Sequence, residues 1–158
     1  MLGTILVPLD GSELSEHALD WLVRALAGCQ FGQVVLLRAL EPSELIYSAG
    51  GVEAYVDLQK RAQIEAQDYL ASMKANLSKH GLRVKTVLVE GLPEEEILSY
   101  ARRHRVSLIV MSTHGRSGIP RWLTGSVADR VVTHSPSPVL VVPPPGARGT
   151  RRRRAARG

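Results

Sequence analysis

Short apolar runs alternate along the chain with segments whose apolar residues recur at helical spacing. The first run, residues 4–9, is typical of a strand buried on both faces of a sheet. Pro8 is expected at the carboxyl edge of that strand, because proline cannot donate a hydrogen bond to a neighbouring strand. Four later runs predict further strands: 34–37, 84–89, 107–111 and 139–142.

Four segments between these runs have the periodicity of amphipathic helices: 13–28, 55–77, 93–105 and 127–134. Gly28 and Gly32 are expected to end the first helix, and Gly81 to cap the second. The predicted apolar stripe of the second helix is Tyr55, Leu58, Ala62, Tyr69, Met73 and Leu77. Pro93 suits the first turn of the third helix. This alternation predicts an α/β fold, with an open, mostly parallel five-stranded sheet and helices on both of its faces.

The positive charge of the chain is confined to its end. The 158 residues have a net charge of +5, but six arginines lie after residue 147 and no acidic residue follows Asp129. Residues 1–147 therefore carry 14 basic and 15 acidic groups, which excludes a basic surface over the whole protein. We expect one domain at 1–143 and a disordered Arg-rich tail at 144–158. Nucleic acid or an anionic surface is expected as a partner only through this tail.

Composition also limits the location and the kind of site. Cys29 is the only cysteine, so neither an intrachain disulfide nor a cysteine-based metal site is expected. No apolar run has the length of a transmembrane helix, and the first residues lack the features of a signal peptide. A cytoplasmic location is expected. The phosphate-binding P-loop motif, the dinucleotide motif G-x-G-x-x-G after the first strand and the hydrolase motif G-x-S-x-G are all missing.

Two loops that follow strands have unusual composition. One is residues 8–12 after the first strand, and the other is residues 112–118 after the fourth, which leads on to Gly125 and Ser126. In an open α/β sheet, ligands bind beyond the carboxyl ends of the strands, where the strand order reverses. A helix that starts after Ser126 would offer free backbone N–H groups to a phosphate, with Arg116 nearby. Alternatively, the glycines only make turns and Ser126 only caps the helix.

Three separated motifs give the chain a specific resemblance. They are residues 5–12 (ILVPLDGS), residues 111–115 (MSTHG) followed after nine residues by 125–131 (GSVADRV), and residues 137–142 (SPVLVV). Together they resemble the signature of the universal stress protein family over about residues 1–143. The resemblance implies a Rossmann-like fold of the adenine-nucleotide alpha hydrolase type.

The nucleotide-binding branch of that family carries G-x-x-G, nine residues, then G-[S/T], and its pattern implies an ATP site here. Gly115, Gly125 and Ser126 match the pattern, whereas Ser112 stands where a glycine is usual on the ribose side. Asp10 matches an acidic residue that contacts the nucleoside. Asp10 is also a candidate N-cap of the first helix, with Glu13 three residues on, and one carboxylate oxygen could cap while the other contacts the ligand. The complete implied site is Pro8, Leu9, Asp10, Ala39, Met111, Ser112, Gly115, Arg116, Gly125, Ser126 and Val127.

The resemblance implies a nucleotide-responsive protein of stress response or signalling. Its expected ligand is ATP, with or without Mg²⁺, and AMP or ADP are alternatives. In the family the last strand, here Val139 to Val142, pairs with its copy in a second subunit, so a homodimer is expected. No residue is an obvious general base for hydrolysis. The alternatives are a slow ATPase or adenylating enzyme, and a stress protein that binds no nucleotide and contacts nucleic acid through its tail.

Overall fold

Strands and helices alternate strictly along the part of the chain that the structure describes. The computed structural model describes residues 2–25, 31–42, 51–112 and 127–145. The strands are β1 (Leu2–Pro8), β2 (Phe31–Leu40), β3 (Val84–Glu90), β4 (Leu108–Ser112) and β5 (Val139–Val142). The helices are α1 (Glu13–Ala25), α2 (Gly51–Ser78), α3 (Pro93–Arg103) and α4 (Val127–His134).

The five strands form one sheet in the order β3-β2-β1-β4-β5. All four pairings are parallel. The chain moves outward from β1 through β2 to β3, and then returns to the other side of β1 for β4 and β5. The strand order therefore reverses between β1 and β4, which makes these two strands the switch point of the sheet.

Each face of the sheet packs against one pair of helices. Ile5 and Val7 lie in a core with residues of α1 and α2, whereas Leu6 lies in a second core with residues of α3 and α4. Successive strand residues point to opposite faces, and all three of these side chains are fully buried. The predicted parallel sheet with helices on both faces is confirmed.

Gly32 does not end a helix, as its sequence position suggested. It lies inside β2, and a Cβ atom built on it would be 2.8 Å from the backbone oxygen of Gly3. Glycine at this position permits the close approach of β1 and β2. Gly28, the other predicted helix stop, lies outside the described residues.

The long helix α2 packs on the sheet through its second half. Among its residues from 55 onward, Ala66, Leu70 and Leu77 are buried, whereas Leu58 of the predicted stripe is 47% exposed and Ala62 is exposed too. Gly81 follows the helix with a φ of +75°, as predicted for a left-handed cap. Pro93 occupies the first turn of α3, also as predicted. Within the described ranges, none of the helices has both the length and the apolar character needed to cross a bilayer.

Candidate functional site

The two sides of the central strand β1 are paired to different lengths. Toward β2 the parallel register runs from Leu2↔Phe31 to Pro8↔Leu37, and the Leu9 N–H still donates to the Leu37 oxygen at 2.8 Å. Toward β4 the register contains only Ile5↔Leu108 and Leu6↔Ile109. Beyond Leu6↔Ile109, no backbone pairing joins the described residues of β1 and β4, and we call this unpaired end of the two strands the opening, although Val7 and Val110 beside it are fully buried. This opening lies at the switch point, where α/β sheets bind ligands.

Pro8 contributes to this opening. The Thr4 oxygen accepts a hydrogen bond from the Ser107 N–H at 2.8 Å, on the β4 side, whereas Leu9 bonds to β2. Hydrogen-bonding direction alternates along a strand, so Thr4, Leu6 and Pro8 all face β4. Proline has no N–H, and β1 therefore has no donor toward β4 at this position. The sequence-based expectation that Pro8 marks the end of β1 is confirmed.

Asp10 begins a hydrogen-bonded turn that leads into α1. Its Oδ1 accepts from the Ser12 N–H at 3.0 Å and from the Ser12 hydroxyl at 2.6 Å. Ser12 Oγ in turn accepts from the Ser15 N–H at 3.2 Å, and the Ser15 hydroxyl donates to the Ser12 carbonyl at 2.8 Å. Ser12 is therefore the N-cap of α1, and the alternative that Asp10 caps the helix directly is wrong. Asp10 instead orients the cap.

The predicted site residues divide between the two faces of the sheet. Met111 belongs to the core on the α3/α4 face, and Val127 of α4 packs against it. Pro8 lies on that face because it is in register with Leu37 of the same core. Ala39 lies there too, because it is two residues after Leu37 in β2. Leu9 is buried in the opposite core. Ser112 is in register with Val142 of that opposite core, so its side chain does not lie on the face of Met111.

Helix α4 is attached to α3 close to this opening. Val131 of α4 is fully buried in the core on the α3/α4 face. Arg130 forms an ion pair with Glu94 of the first turn of α3, with an Nη1–Oε1 distance of 2.8 Å. These contacts fix the start of α4 at Val127 on the face of Met111. The remaining predicted residues lie outside the described residues: Gly115, Arg116, Gly125 and Ser126.

Two residues near the Asp10 turn were missed by sequence reasoning. Arg38, two residues before the end of β2, places its Cζ 5.0 Å from the ring centre of Tyr69 in α2. Burial, followed by the negative charge of Glu16, raises the pKa of the Tyr69 phenol well above its usual range, so this group is neutral at physiological pH. The one feature of the sequence that could have indicated this contact is that a cation, Arg38, directly follows the apolar run 34–37. Among the residues that the structure describes, no cluster of three metal-ligand side chains occurs.

Comparisons with known proteins agree with this architecture. The model of the universal stress protein family matches residues 1–143. Universal stress protein MJ0577 of Methanocaldococcus jannaschii is 32% identical over 155 residues, which cover 90% of this chain and 95% of that protein. The solved structure of MJ0577 superposes with a TM-score of 0.78 at 34% identity, over 90% of this chain and 96% of that one.

Two further solved structures share the fold at lower identity. A universal stress protein in complex with cAMP has a TM-score of 0.68 at 23% identity, over 89% of this chain and 97% of that one. A universal stress protein family protein from Arabidopsis thaliana with AMP bound has a TM-score of 0.68 at 15% identity, over 92% of this chain and 94% of that one. At these identities the similarity concerns the fold alone.

Proposed function

Because this chain belongs to the universal stress protein family, we propose that it binds an adenine nucleotide between the carboxyl ends of β1 and β4. The proposed ligand is ATP. The observation that carries this proposal is the early end of the β1–β4 pairing at Leu6↔Ile109. In α/β sheets, ligands bind outside the carboxyl ends of the strands at such a switch point.

The described residues fit the nucleoside end of such a ligand. Met111 is buried on the α3/α4 face, where Ala39 also lies, and both offer apolar surface to a base. The carboxylate of Asp10, partly buried and held by Ser12, is a fixed acceptor for hydroxyl groups. The phosphate end would fall on residues 113–126, with Gly125 and Ser126 directly before the N-terminus of α4. When bound, ATP would supply a charged group that a partner protein can sense.

The chemical class of the ligand is supported by the structures that share the fold. One was solved with cAMP and another with AMP, both of which contain adenosine and phosphate. We propose ATP because Gly115, Gly125 and Ser126 match three positions of the G-x-x-G-x9-G-[S/T] pattern, with Ser112 at the position of its first glycine. Mg²⁺ would accompany the phosphates.

A homodimer through β5 is part of the same proposal. β5 stands at one end of the strand order, and Val139, Leu140 and Val141 are only partly buried. An apolar edge strand is a pairing hazard unless another strand covers it. A second copy of β5 would satisfy this requirement, and ATP occupancy of the dimer would serve stress response or signalling. Sedimentation at micromolar concentration should give the mass of a dimer, and a monomer mass would overturn this part.

Calorimetric titration with ATP and Mg²⁺ tests the binding site. The wild-type chain should bind, and Asp10→Asn should weaken binding by about 10- to 100-fold, because a hydrogen bond to a charged group is worth about 1.5–3 kcal/mol. Asp20→Asn is the matched control, since Asp20 is an exposed carboxylate elsewhere on α1. An absence of binding by the wild type at millimolar ATP would refute the proposal. Equal affinities of Asp10→Asn and the wild type would refute the placement of the site.

A further inference from the structure

Arg38 is a cation on an otherwise apolar face of β2. It alternates with Val34 and Leu36, which are both fully buried in the core beneath α1 and α2. It therefore points to the α1/α2 side of the sheet, whereas its neighbour Ala39 points to the α3/α4 side. Its position near the carboxyl end of β2 brings the guanidinium to the level of the turn between β1 and α1.

The guanidinium lies beside Gly11, on the side where the Cβ atom of any other residue would project. A Cβ atom built on Gly11 would be 3.2 Å from Nη1 of Arg38 and 3.3 Å from Nη2. Gly11 also has a φ of +82°, in the left-handed region that side chains other than glycine rarely adopt. The positive φ favours glycine at this position, and a Cβ atom here would in addition displace the guanidinium of Arg38 by a few tenths of an ångström.

The other side of the guanidinium faces α2. Its Cζ lies 5.0 Å from the centre of the Tyr69 ring, which is a cation–π contact. The Tyr69 hydroxyl is buried near Ser15 and Glu16 of α1, and none of the described residues makes a hydrogen bond of good geometry to it. The contribution of Tyr69 to this cluster is therefore its ring.

We propose that Arg38 is a positioning residue for Asp10: its guanidinium fixes the turn at Gly11 by bridging that turn to the ring of Tyr69. The turn is a chain of hydrogen bonds from Asp10 through Ser12 to Ser15, so a fixed Gly11 fixes the direction of the Asp10 carboxylate. The relevance to ligand binding rests on the proposed function, whereas the effect on the turn does not. Arg38 acts through Asp10, at the nucleoside end of the ligand.

Two measurements separate this role from a general one in stability. The first is amide hydrogen exchange at Ser12 and Ser15 in the protein without ligand, which reports on the turn itself. The second is the affinity for adenosine compared with the affinity for ATP. A residue that positions Asp10 should affect both ligands equally, because both contain the nucleoside. A residue that contacts the phosphates would affect ATP alone.

The variants are chosen to remove one contact each. Arg38→Met keeps the length of the side chain but removes the charge and the planar group, and Arg38→Lys restores only the charge. Tyr69→Leu removes the ring, whereas Tyr69→Phe keeps it. Arg83→Met is the matched control, because Arg83 is an exposed arginine at the amino end of the sheet, directly before β3.

Arg38→Met should accelerate amide exchange at Ser12 and Ser15. It should also weaken the binding of ATP and of adenosine by the same factor, about 3- to 20-fold, which corresponds to the loss of a partly buried cation–π contact. Arg38→Lys should recover only part of the loss, and Tyr69→Leu should lose more than Tyr69→Phe. Unchanged exchange in Arg38→Met, equal losses in the two Tyr69 variants, or a loss for ATP alone would overturn the inference. If the wild type binds neither ligand, the proposed function fails, and the exchange rates alone decide the role of Arg38.

Discussion

The two sides of β1 carry the same kind of parallel pairing but differ in how far it extends. On the β2 side the register continues to Pro8↔Leu37, and on the β4 side it stops at Leu6↔Ile109. The closed side joins β1 to β2, the next strand in the chain after α1. The open side joins β1 to a strand reached only after the chain has returned across the sheet. Backbone pairing is therefore more extensive on the closed side, and the ligand site that we propose lies on the open side.

The residues at the end of each side suit these different tasks. Leu36 and Leu37 on the closed side are almost completely buried, and each belongs to one of the two cores. Pro8 on the open side has no N–H to offer to β4. Asp10 follows two residues later and is held by Ser12, so the first polar side chain after Pro8 has a fixed direction.

The largest expected effect concerns the closed side. Leu36→Ala should lower the free energy of unfolding by about 2–5 kcal/mol, because it opens a cavity in the core beneath α1 and α2. The affinity for ATP should stay close to that of the wild type under conditions in which the variant is folded. Chemical denaturation and calorimetry measure the two quantities. A loss of affinity as large as that of Asp10→Asn would show that the two sides are not separate in function.

A smaller loss is expected in the turn after β1. Gly11→Ala should destabilise the protein by about 1–3 kcal/mol, because the substitution combines a positive φ with the contact to Arg38. Gly81→Ala is the matched control, since Gly81 has a φ of +75° and no atom within 4 Å of an added Cβ. The excess loss at Gly11 should shrink when Arg38→Met is added. Equal losses at both glycines would show that Arg38 does not restrict the turn.

Pro8→Ala supplies the donor that β1 lacks toward β4. The new N–H should become protected from exchange by pairing with β4, and the affinity for ATP should fall by about 2- to 10-fold, in line with the net worth of one hydrogen bond. Amide exchange at residue 8 and calorimetry measure the two effects. Rapid exchange together with unchanged affinity would show that Pro8 is not what keeps β1 and β4 apart.

The smallest effect is expected from alkaline pH. Burial raises the pKa values of Tyr69 and Tyr100 above the ordinary value of 10.0, so the folded chain keeps these phenol protons after the unfolded chain begins to lose them. The free energy of unfolding should therefore be unaffected by these groups below about pH 10 and should fall as the pH rises above that value. Tyr69→Phe should reduce the slope of that fall. Denaturation curves between pH 8 and 11 give the comparison, and equal slopes would contradict it.

Much of the fold could be predicted because local signals and tertiary structure agree. The bounds of β5 at Val139–Val142, the start of α3 at Pro93 and the end of β1 at Pro8 all follow from apolar runs and from the chemistry of proline. Gly32 was misassigned because a glycine between two apolar segments has the same local signal whether it ends a helix or lies in a strand. Only its contact with Gly3 distinguishes these cases.

The candidate site was less accessible to sequence reasoning. Asp10 and Ser12 are both good capping residues, and the choice between them depends on the positive φ of Gly11, which lies between them. Leu58 continues a helical stripe but lies on the part of α2 that the sheet does not cover. Arg38 and Tyr69 are 31 positions apart in the sequence, so their contact could only be found in three dimensions.

The most direct test of the central claim is an NMR titration of backbone amides with ATP and Mg²⁺. If the ligand binds between β1 and β4, the shifted amides should be those at the carboxyl ends of the strands, including Leu9, Asp10, Ala39, Met111 and Ser112. Amides at the amino ends, such as Thr4, Val84 and Leu108, should not move. Shifts confined to the amino ends, or no shifts at saturating ATP, would contradict the claim.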